Sequence, residues 1–211
     1  GSGKSVSIHS IITSLIWRNG PDQLKFILID PKRVELAYYR DLPQLLTPVL
    51  SDGKKSVNAL RWAVKEMERR YEILSEYNAR DIMGFNNIVF PPKADHPRAG
   101  KFLEGNSFMP YLVIIIDELA DLMAAYGREV EGTIIRLAQM ARAVGIHLIV
   151  STQRPSVEVL TGLIKANITS RMALQVPSQV DSRTILDMAG AEKLLGNGDM
   201  LFLSGDSSKP R

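Results

Sequence analysis

The sequence predicts an α/β fold in which a mainly parallel sheet carries helices on both faces. Three short apolar runs, KFILID, YLVIIIDE and IHLIVSTQ, end in polar residues at positions 30, 117–118 and 151–153. Each run is continuous rather than alternating and is rich in Ile or Val, which is typical of strands buried on both faces of a parallel sheet. Helical segments between them give the β-α-β-α order of this fold class.

The first and the longest helices are predicted from local signals. The first follows the opening residues, KSVSIHSIITSLIWRNG, and stops at Asn19-Gly20, a helix C-cap signal. The longest covers residues 54–82. Its apolar residues recur with a 3-4-3-4-3 spacing, which predicts a helix packed on the sheet and is too short a pattern for a coiled coil. The residues of this stripe are Val57, Leu60, Val64, Met67, Tyr71 and Leu74.

Weaker signals complete the predicted organisation. The runs RMALQV at 171–176 and DMLFL at 199–203 predict two further strands. Residues 91–110 are rich in Pro, Gly and charge, which predicts an irregular surface loop. A chain of 211 residues, 45% apolar and 23% charged, is typical of one globular domain with a single core. The absence of cysteine excludes disulfides and thiolate metal sites, and no apolar run is long enough to span a bilayer.

The opening letters GSGKS match the second half of a phosphate-binding loop, G-x-x-x-x-G-K-[ST]. Gly3 would turn backbone N–H groups toward phosphate, Lys4 would reach the β- and γ-phosphates, and the Ser5 hydroxyl would bind Mg²⁺. The ATP-binding residues predicted here are Gly1, Ser2, Gly3, Lys4, Ser5 and Val6. Since the motif lacks its first glycine, we expect residues 1–211 to be a fragment, cut inside this loop and again after the last strand, that hydrolyses ATP poorly by itself.

The run LVIIIDE strengthens the nucleotide hypothesis. An aliphatic strand that ends in Asp holds the Mg²⁺ of phosphate-loop NTPases, which predicts a metal ligand at Asp117. Glu118 is placed to polarise the water that attacks the γ-phosphate. Gln153, at the end of the next strand, would sense whether the nucleotide is ATP or ADP. The alternative reading makes the two acids helix N-terminal residues that suit the helix dipole, and makes Gln153 a polar residue that caps its strand.

The charge distribution along the chain favours a polyanionic partner, or else a solvated basic face. The net charge is only +3, but between residues 132 and 185 there are six Arg or Lys against two acids, Glu158 and Asp181. The six basic residues are Arg136, Arg142, Arg154, Lys165, Arg171 and Arg183.

Longer stretches resemble the motor domain of the FtsK/SpoIIIE DNA translocases over nearly the whole chain. They include DPKRVELAYY, WAVKEMERRYEIL, IIIDELADLM, STQRPSVEVLTGLIKANI and DSRTILDMAGAEKLLGNGDM. The last two are more specific than any nucleotide motif. The resemblance implies a RecA-like fold, a hexameric ring around double-stranded DNA and ATP hydrolysis at subunit interfaces. It also implies a membrane anchor outside these residues and a motor on the cytoplasmic face of the bacterial inner membrane.

The resemblance assigns further residues. Arg142 would be the arginine finger that reaches the neighbouring subunit's ATP, with Arg136 and Arg171 as alternatives. Arg154, Lys165 and Arg183 match the pore-facing region and would contact DNA phosphates without reading bases. Two other functions remain open at this stage. One is a related ring ATPase of conjugation or protein secretion; the other is a non-hydrolysing DNA-binding module, which the presence of Lys4 disfavours.

Overall fold

The computed structural model describes residues 3–89, 108–207, 209 and 211 of the 211-residue chain. Its central sheet contains β1 (Leu24–Ile29), β2 (Tyr111–Ile116) and β3 (Ile146–Val150), in the order β1-β2-β3. Both strand pairs are parallel, and their registers place Ile29 beside Ile116 and Ile116 beside Val150. The three carboxyl ends therefore meet at one edge, and the predicted parallel arrangement of these strands is confirmed.

Six helices are described in the structure, and the three longest surround the sheet. The first helix ends where the sequence predicts, with Asn19 as its C-cap, although Asn19 is extended and its side chain donates to the carbonyl of Leu15. The helices are α1 (Lys4–Arg18), α2 (Gly53–Glu76), α3 (Ile82–Val89), α4 (Leu119–Met140), α5 (Gly162–Asn167) and α6 (Gln179–Leu186). In the described residues no helix combines the length and the apolar character needed to cross a membrane.

Alternate residues of each strand pack on opposite faces of the sheet, as a strand's two-residue period requires. On one face Ile8 and Ile12 of α1 pack with Phe26, Leu28 and Ile115. On the other face the residues at positions 27, 29, 114 and 116 pack with buried residues of α2, α3 and α4. The prediction of helices on both faces is thus confirmed.

The two weak strand predictions are confirmed as elements, but they do not extend the parallel sheet. Strands β4 (Arg171–Leu174) and β5 (Met200–Leu203) form a separate antiparallel pair. With α6 they enclose a small cluster of three buried residues, Ala173, Leu186 and Ala191. A short, mostly apolar run does not indicate which strand it will pair with or in which direction, so the antiparallel pairing was not predicted.

The helix predicted for residues 54–82 ends at residue 76, and this part of the prediction is wrong, because residues 77–81 connect α2 to α3. Helix α2 ends at Glu76, and Asn78 adopts a left-handed conformation with a φ of 51°. Asparagine tolerates this conformation better than most residues, so it serves as a helix stop. The apolar stripe itself does face the core, with Val57, Leu60, Met67 and Leu74 buried.

The outer edge of β1 is partly covered by residues 44–50. Leu45 and Leu50 form isolated parallel bridges to Phe26 and Ile29. Beyond the last residue of β1, Asp30 continues the pairing by donating its N–H to the carbonyl of Leu50. Asp30 is therefore held in line with the strand. Of the irregular loop predicted for residues 91–110, residues 91–107 lie outside the described residues.

Candidate nucleotide site and basic surface

Lys4 and Asp117 meet at the carboxyl edge of the sheet. Lys4 opens α1, and its Nζ donates to both the carbonyl oxygen and Oδ1 of Asp117, each at 2.7 Å. Only 13% of the Lys4 side chain and 2% of the Asp117 side chain are exposed. The fold thus brings together the lysine of GSGKS and the acid of LVIIIDE across 113 residues of sequence.

Gly3 gives α1 its start. It has a φ of 101°, a left-handed conformation that favours glycine, and an added Cβ would lie 3.1 Å from Cα of Gly198. The loop therefore passes close to the turn before β5. Ser5 is half-buried and Val6 is exposed; the structure gives the Ser5 hydroxyl no hydrogen-bond partner among the described residues. Gly1 and Ser2, also predicted to bind the nucleotide, lie outside the described residues.

Glu118 is fully buried and is held by the tip of β3. As the N-cap of α4, it accepts from the N–H of Ala120, and its other contacts are the Thr152 hydroxyl and the N–H of Gln153 at 2.9 Å. All of these are protein groups. Glu118 therefore links the end of β2 to the tip of β3, and its complete burial separates the carboxylate from bulk water.

At the tip of β3 the Ser151 side chain is hydrogen-bonded, whereas the Gln153 side chain is not bonded to any described residue. The Ser151 hydroxyl donates to the carbonyl of Asp117 at 2.6 Å, which links β3 to the Lys4–Asp117 pair. Gln153 is exposed and its side chain makes no hydrogen bond within the described part of the chain. Its side chain is therefore available to a ligand at the carboxyl edge, while its backbone fixes Glu118.

Asp30 belongs to the same edge, although its role was not predicted. It is fully buried; Oδ2 accepts from the N–H of Leu36 at 2.9 Å, whereas Oδ1 is buried and finds no hydrogen-bond partner in the described part of the chain. The sequence carries only a weak signal for it, namely that an acid follows the apolar run of β1. Its burial depends on residues 36 and 50, which no local pattern relates to it.

The acid and hydroxyl groups at this edge suit Mg²⁺ better than a transition metal. Among the described residues no group of three or more His, Cys, Asp or Glu is placed to hold a metal ion by itself. Mg²⁺ usually keeps several waters and binds through one or two carboxylates together with substrate phosphates. Asp117 and Ser5, whose hydroxyl makes no hydrogen bond to a described residue, supply such a partial set.

Arg142 does not belong to this site. It is exposed and lies in the turn before β3, at the opposite edge of the sheet. Since each residue of a parallel strand advances about 3.3 Å, the length of β3 alone separates the two edges by roughly 15 Å. Of the alternatives, Arg136 pairs with Glu68, and Arg171 is taken up by Asp187 and by three backbone carbonyls.

The three predicted DNA-binding residues occupy two places, and two of them are already paired. Arg154 contacts Asp121 in the first turn of α4. Lys165 contacts Asp187 at 2.7 Å, and Arg183, one turn before Asp187 on α6, is exposed and makes no ion pair with any described residue. These ion pairs were not predicted from the sequence.

Asp187, at the end of α6, is the centre of a group of charged side chains. Asp187 caps α6 in a left-handed conformation and is paired with both Lys165 and Arg171. Hydrogen bonds from Lys165 and then from Arg171 lower the pKa of the Asp187 carboxyl. We call Lys165, Arg171, Arg183 and Asp187 the α6 charge cluster.

Comparisons with known proteins give a family match over the first three quarters of the chain and curated relatives over nearly all of it. A model of the FtsK/SpoIIIE family matches residues 1–157. The chain is 56% identical over 210 residues to DNA translocase SftA of Bacillus subtilis, covering 100% of this chain and 21% of that protein. It is 54% identical over 219 residues to DNA translocase FtsK of Haemophilus influenzae, covering 99% and 41% respectively. The chain therefore spans about a fifth to two fifths of the length of these relatives.

Two solved structures resemble the whole chain in fold. The conjugation coupling protein TcpA, solved as a monomer with ATPγS, superposes with a TM-score of 0.78 at 26% identity, covering 100% of this chain and 56% of that one. The cytoplasmic domain of the type VII secretion ATPase EccC from Thermomonospora curvata gives a TM-score of 0.78 at 20% identity, covering 100% and 24%. The predicted RecA-like ATPase fold is confirmed by these likenesses.

Proposed function

This chain belongs to the FtsK/SpoIIIE family, and we propose that it is the ATP-hydrolysing motor domain of a translocase that moves double-stranded DNA. The observation that carries the proposal is the identity to DNA translocases, which is above 50% and extends from one end of the chain to the other. It thus includes the basic region after β3 as well as the GSGKS loop. The roles that follow are assigned to this chain's own residues.

Lys4 and the N-terminal end of α1 bind the nucleotide phosphates. Lys4 now neutralises Asp117, and it would exchange this partner for phosphate oxygens when nucleotide enters. Residues 1–6 are assigned to phosphate binding, with Gly3 supplying the turn before α1 that brings backbone N–H groups to the anion. Bound Mg²⁺ would supply charge neutralisation at the phosphates, and Ser5 and Asp117 would hold it.

Glu118 orients and deprotonates the attacking water. For this the surroundings of Glu118 must open to water, because its carboxylate is fully buried beside Thr152 and the backbone of Gln153. The exposed side chain of Gln153 lies beside it and senses the γ-phosphate. Coupling between hydrolysis and movement would then run through the segment after β3, where Thr152 and Gln153 bind Glu118 and Arg154 follows directly.

Assembly into a hexameric ring would complete the site. Arg142 lies at the edge of the sheet opposite the nucleotide site, so it cannot serve its own subunit and is exposed to a neighbour. We assign it as the finger that stabilises negative charge in the neighbouring site. Hydrolysis should then depend on assembly.

Arg154, Lys165 and Arg183 contact the DNA backbone. Arginine and lysine bind phosphate oxygens without regard to sequence, as a motor that must hold every sequence equally requires. The whole protein would carry its membrane anchor outside this chain, with the motor on the cytoplasmic face of the inner membrane. Chromosome partition at cell division or sporulation is the corresponding cellular role.

The test is ATP hydrolysis by the full-length protein, with and without duplex DNA of two unrelated sequences. We expect both duplexes to stimulate hydrolysis equally and Glu118→Ala to abolish it. An exposed arginine outside the proposed sites, Arg18, supplies the matched control: Arg18→Ala should leave stimulation unchanged. Hydrolysis that needs Glu118 but ignores DNA would overturn the DNA assignment and favour a pump for another substrate, as in conjugation or secretion.

A further inference from the structure

Asp30 and Asp117 project from neighbouring strands on the same face of the sheet. The β1–β2 register pairs Phe26 with Val113 and Leu28 with Ile115, and all four pack on the face that α1 covers. Two residues further along each strand, the same alternation places Asp30 and Asp117 side by side on that face. Neighbouring strands lie about 4.8 Å apart, so the two carboxylates are close neighbours.

The charge of Asp30 is not neutralised within the described part of the chain. No Lys, Arg or His there forms an ion pair with it, and it is fully buried. Of the described basic side chains, Lys4 is the one bound at this edge, and its contacts are with Asp117. A buried carboxylate without a partner is costly unless a cation or hydrogen-bond donors compensate it.

The two carboxyl oxygens of Asp30 differ in their hydrogen bonding. Oδ2 accepts from the N–H of Leu36 and so fixes the turn after β1, which is a structural role. Oδ1 is buried and has no hydrogen-bond partner among the described residues. The structural role explains why residue 30 is a hydrogen-bond acceptor, but it leaves the second carboxyl oxygen unexplained, since an asparagine would accept the same bond.

We propose that Asp30 is a positioning residue for the magnesium ion that accompanies the nucleotide: its free Oδ1 accepts a hydrogen bond from a water molecule bound to that ion. This inference rests on the proposed function, because it requires nucleotide with Mg²⁺ at the Lys4–Asp117 edge. Three acidic residues, Asp30, Asp117 and Glu118, lie at this edge, and among the described residues only Asp117 is paired with a lysine, which favours a divalent cation there. Groups that hold the waters or ligands of a metal commonly change its affinity 10–100-fold when removed.

The test is the affinity of the full-length protein for a fluorescent, non-hydrolysable ATP analogue, measured in Mg²⁺ and in EDTA. The ratio of the two dissociation constants reports how strongly metal and nucleotide favour each other on the protein. Asp30→Asn keeps the acceptor for Leu36 and removes the charge. We expect it to reduce this ratio about 10-fold, with binding in EDTA not weakened. Asp52→Asn is the control, because Asp52 also accepts a backbone N–H, at the start of α2.

Each outcome decides between the positioning role and a purely structural one. An Asp30→Asn ratio equal to those of the wild type and Asp52→Asn overturns the inference. Weaker binding in EDTA and in Mg²⁺ alike, at an unchanged ratio, also overturns it and assigns Asp30 a structural role. If Asp30→Asn does not fold, Asp30→Ser, a smaller acceptor, is measured instead. Lys4→Ala tests the premise separately: unchanged nucleotide binding by that variant would refute the proposed function whatever Asp30 does.

Discussion

The carboxyl edge of the sheet and the α6 charge cluster hold their charges in opposite ways. At the edge, the Asp117 side chain is 2% exposed and is fixed by Lys4. In the α6 charge cluster, the Asp187 side chain is 58% exposed, although its contact with Lys165 has the same length of 2.7 Å. The geometry of the two lysine–aspartate pairs is alike, and burial is what distinguishes them.

This difference separates a pre-arranged site from an exchangeable one. Breaking a buried pair leaves an uncompensated charge in a medium of low polarity, which is strongly unfavourable. Breaking an exposed pair costs little, because water solvates both partners. The edge is therefore suited to holding a reaction geometry, and the α6 charge cluster is suited to exchanging a carboxylate for DNA phosphates.

The largest expected effect comes from Glu118→Gln at the buried edge. The amide cannot accept a proton from water, so the turnover number for ATP should fall by about 10²–10⁴-fold, the usual contribution of a general base. Affinity for a non-hydrolysable ATP analogue should stay within a factor of about three, which corresponds to less than about 1 kcal/mol of binding free energy.

Thr152→Val is the matched variant, because it removes the hydroxyl that contacts Glu118 and leaves the carboxylate in place. If the contact only holds Glu118 back, hydrolysis should continue or rise in this variant. A loss as large as that of Glu118→Gln would mean that the Glu118 carboxylate acts through its link to β3 and not as a base.

The direct comparison of the two lysines should give the next largest effect. Lys4→Met leaves Asp117 buried and unpaired, and the free energy of unfolding should fall by about 3–5 kcal/mol. Lys165→Met breaks an ion pair of equal length at an exposed aspartate, and the fall should be about 0–1 kcal/mol. Urea denaturation of both variants without nucleotide is the measurement. Equal losses would show that burial does not govern the difference between the two regions.

The sequence predicted the buried edge well because its determinants are local. A continuous aliphatic run followed by acids marks both the strand β2 and the position of Asp117, and GKS marks the start of α1. Parallel strands then bring their ends together without further information. The meeting of Lys4 with Asp117 follows from these elements alone.

The remaining features depend on distant residues, which explains why the sequence did not reveal them. Asp30 is held by backbone groups of residues 36 and 50, six and twenty positions away, and no local pattern relates them to it. The α6 charge cluster joins α5, β4 and the end of α6. No regular sequence spacing relates Lys165 and Arg171 to Asp187, so their pairing could not be predicted. The break at Asn78 was hidden because apolar residues continue at helical spacing on both sides.

A smaller effect is expected in the salt dependence of DNA binding. Arg183 is exposed without an ion pair in the described chain, so it should contact one phosphate without first breaking such a pair. Arg183→Ala should reduce the slope of log K against log salt by about 0.9. The measurement is duplex binding at four salt concentrations, with Arg18→Ala as the control on α1. An unchanged slope for Arg183→Ala would remove this residue from the DNA surface.

The smallest effect is the pH dependence contributed by Asp187. Bonds from Lys165 and Arg171 lower the pKa of its carboxyl below the ordinary value of 3.8, so its stabilising contribution is present above that value. It is lost as the pH falls through the lowered folded-state pKa. Asp187→Asn, which suits the left-handed φ of 61°, should therefore cost about 0–1 kcal/mol at neutral pH. This difference should vanish in acid when stability is followed by urea denaturation. A difference that grew in acid would contradict the assigned pairing.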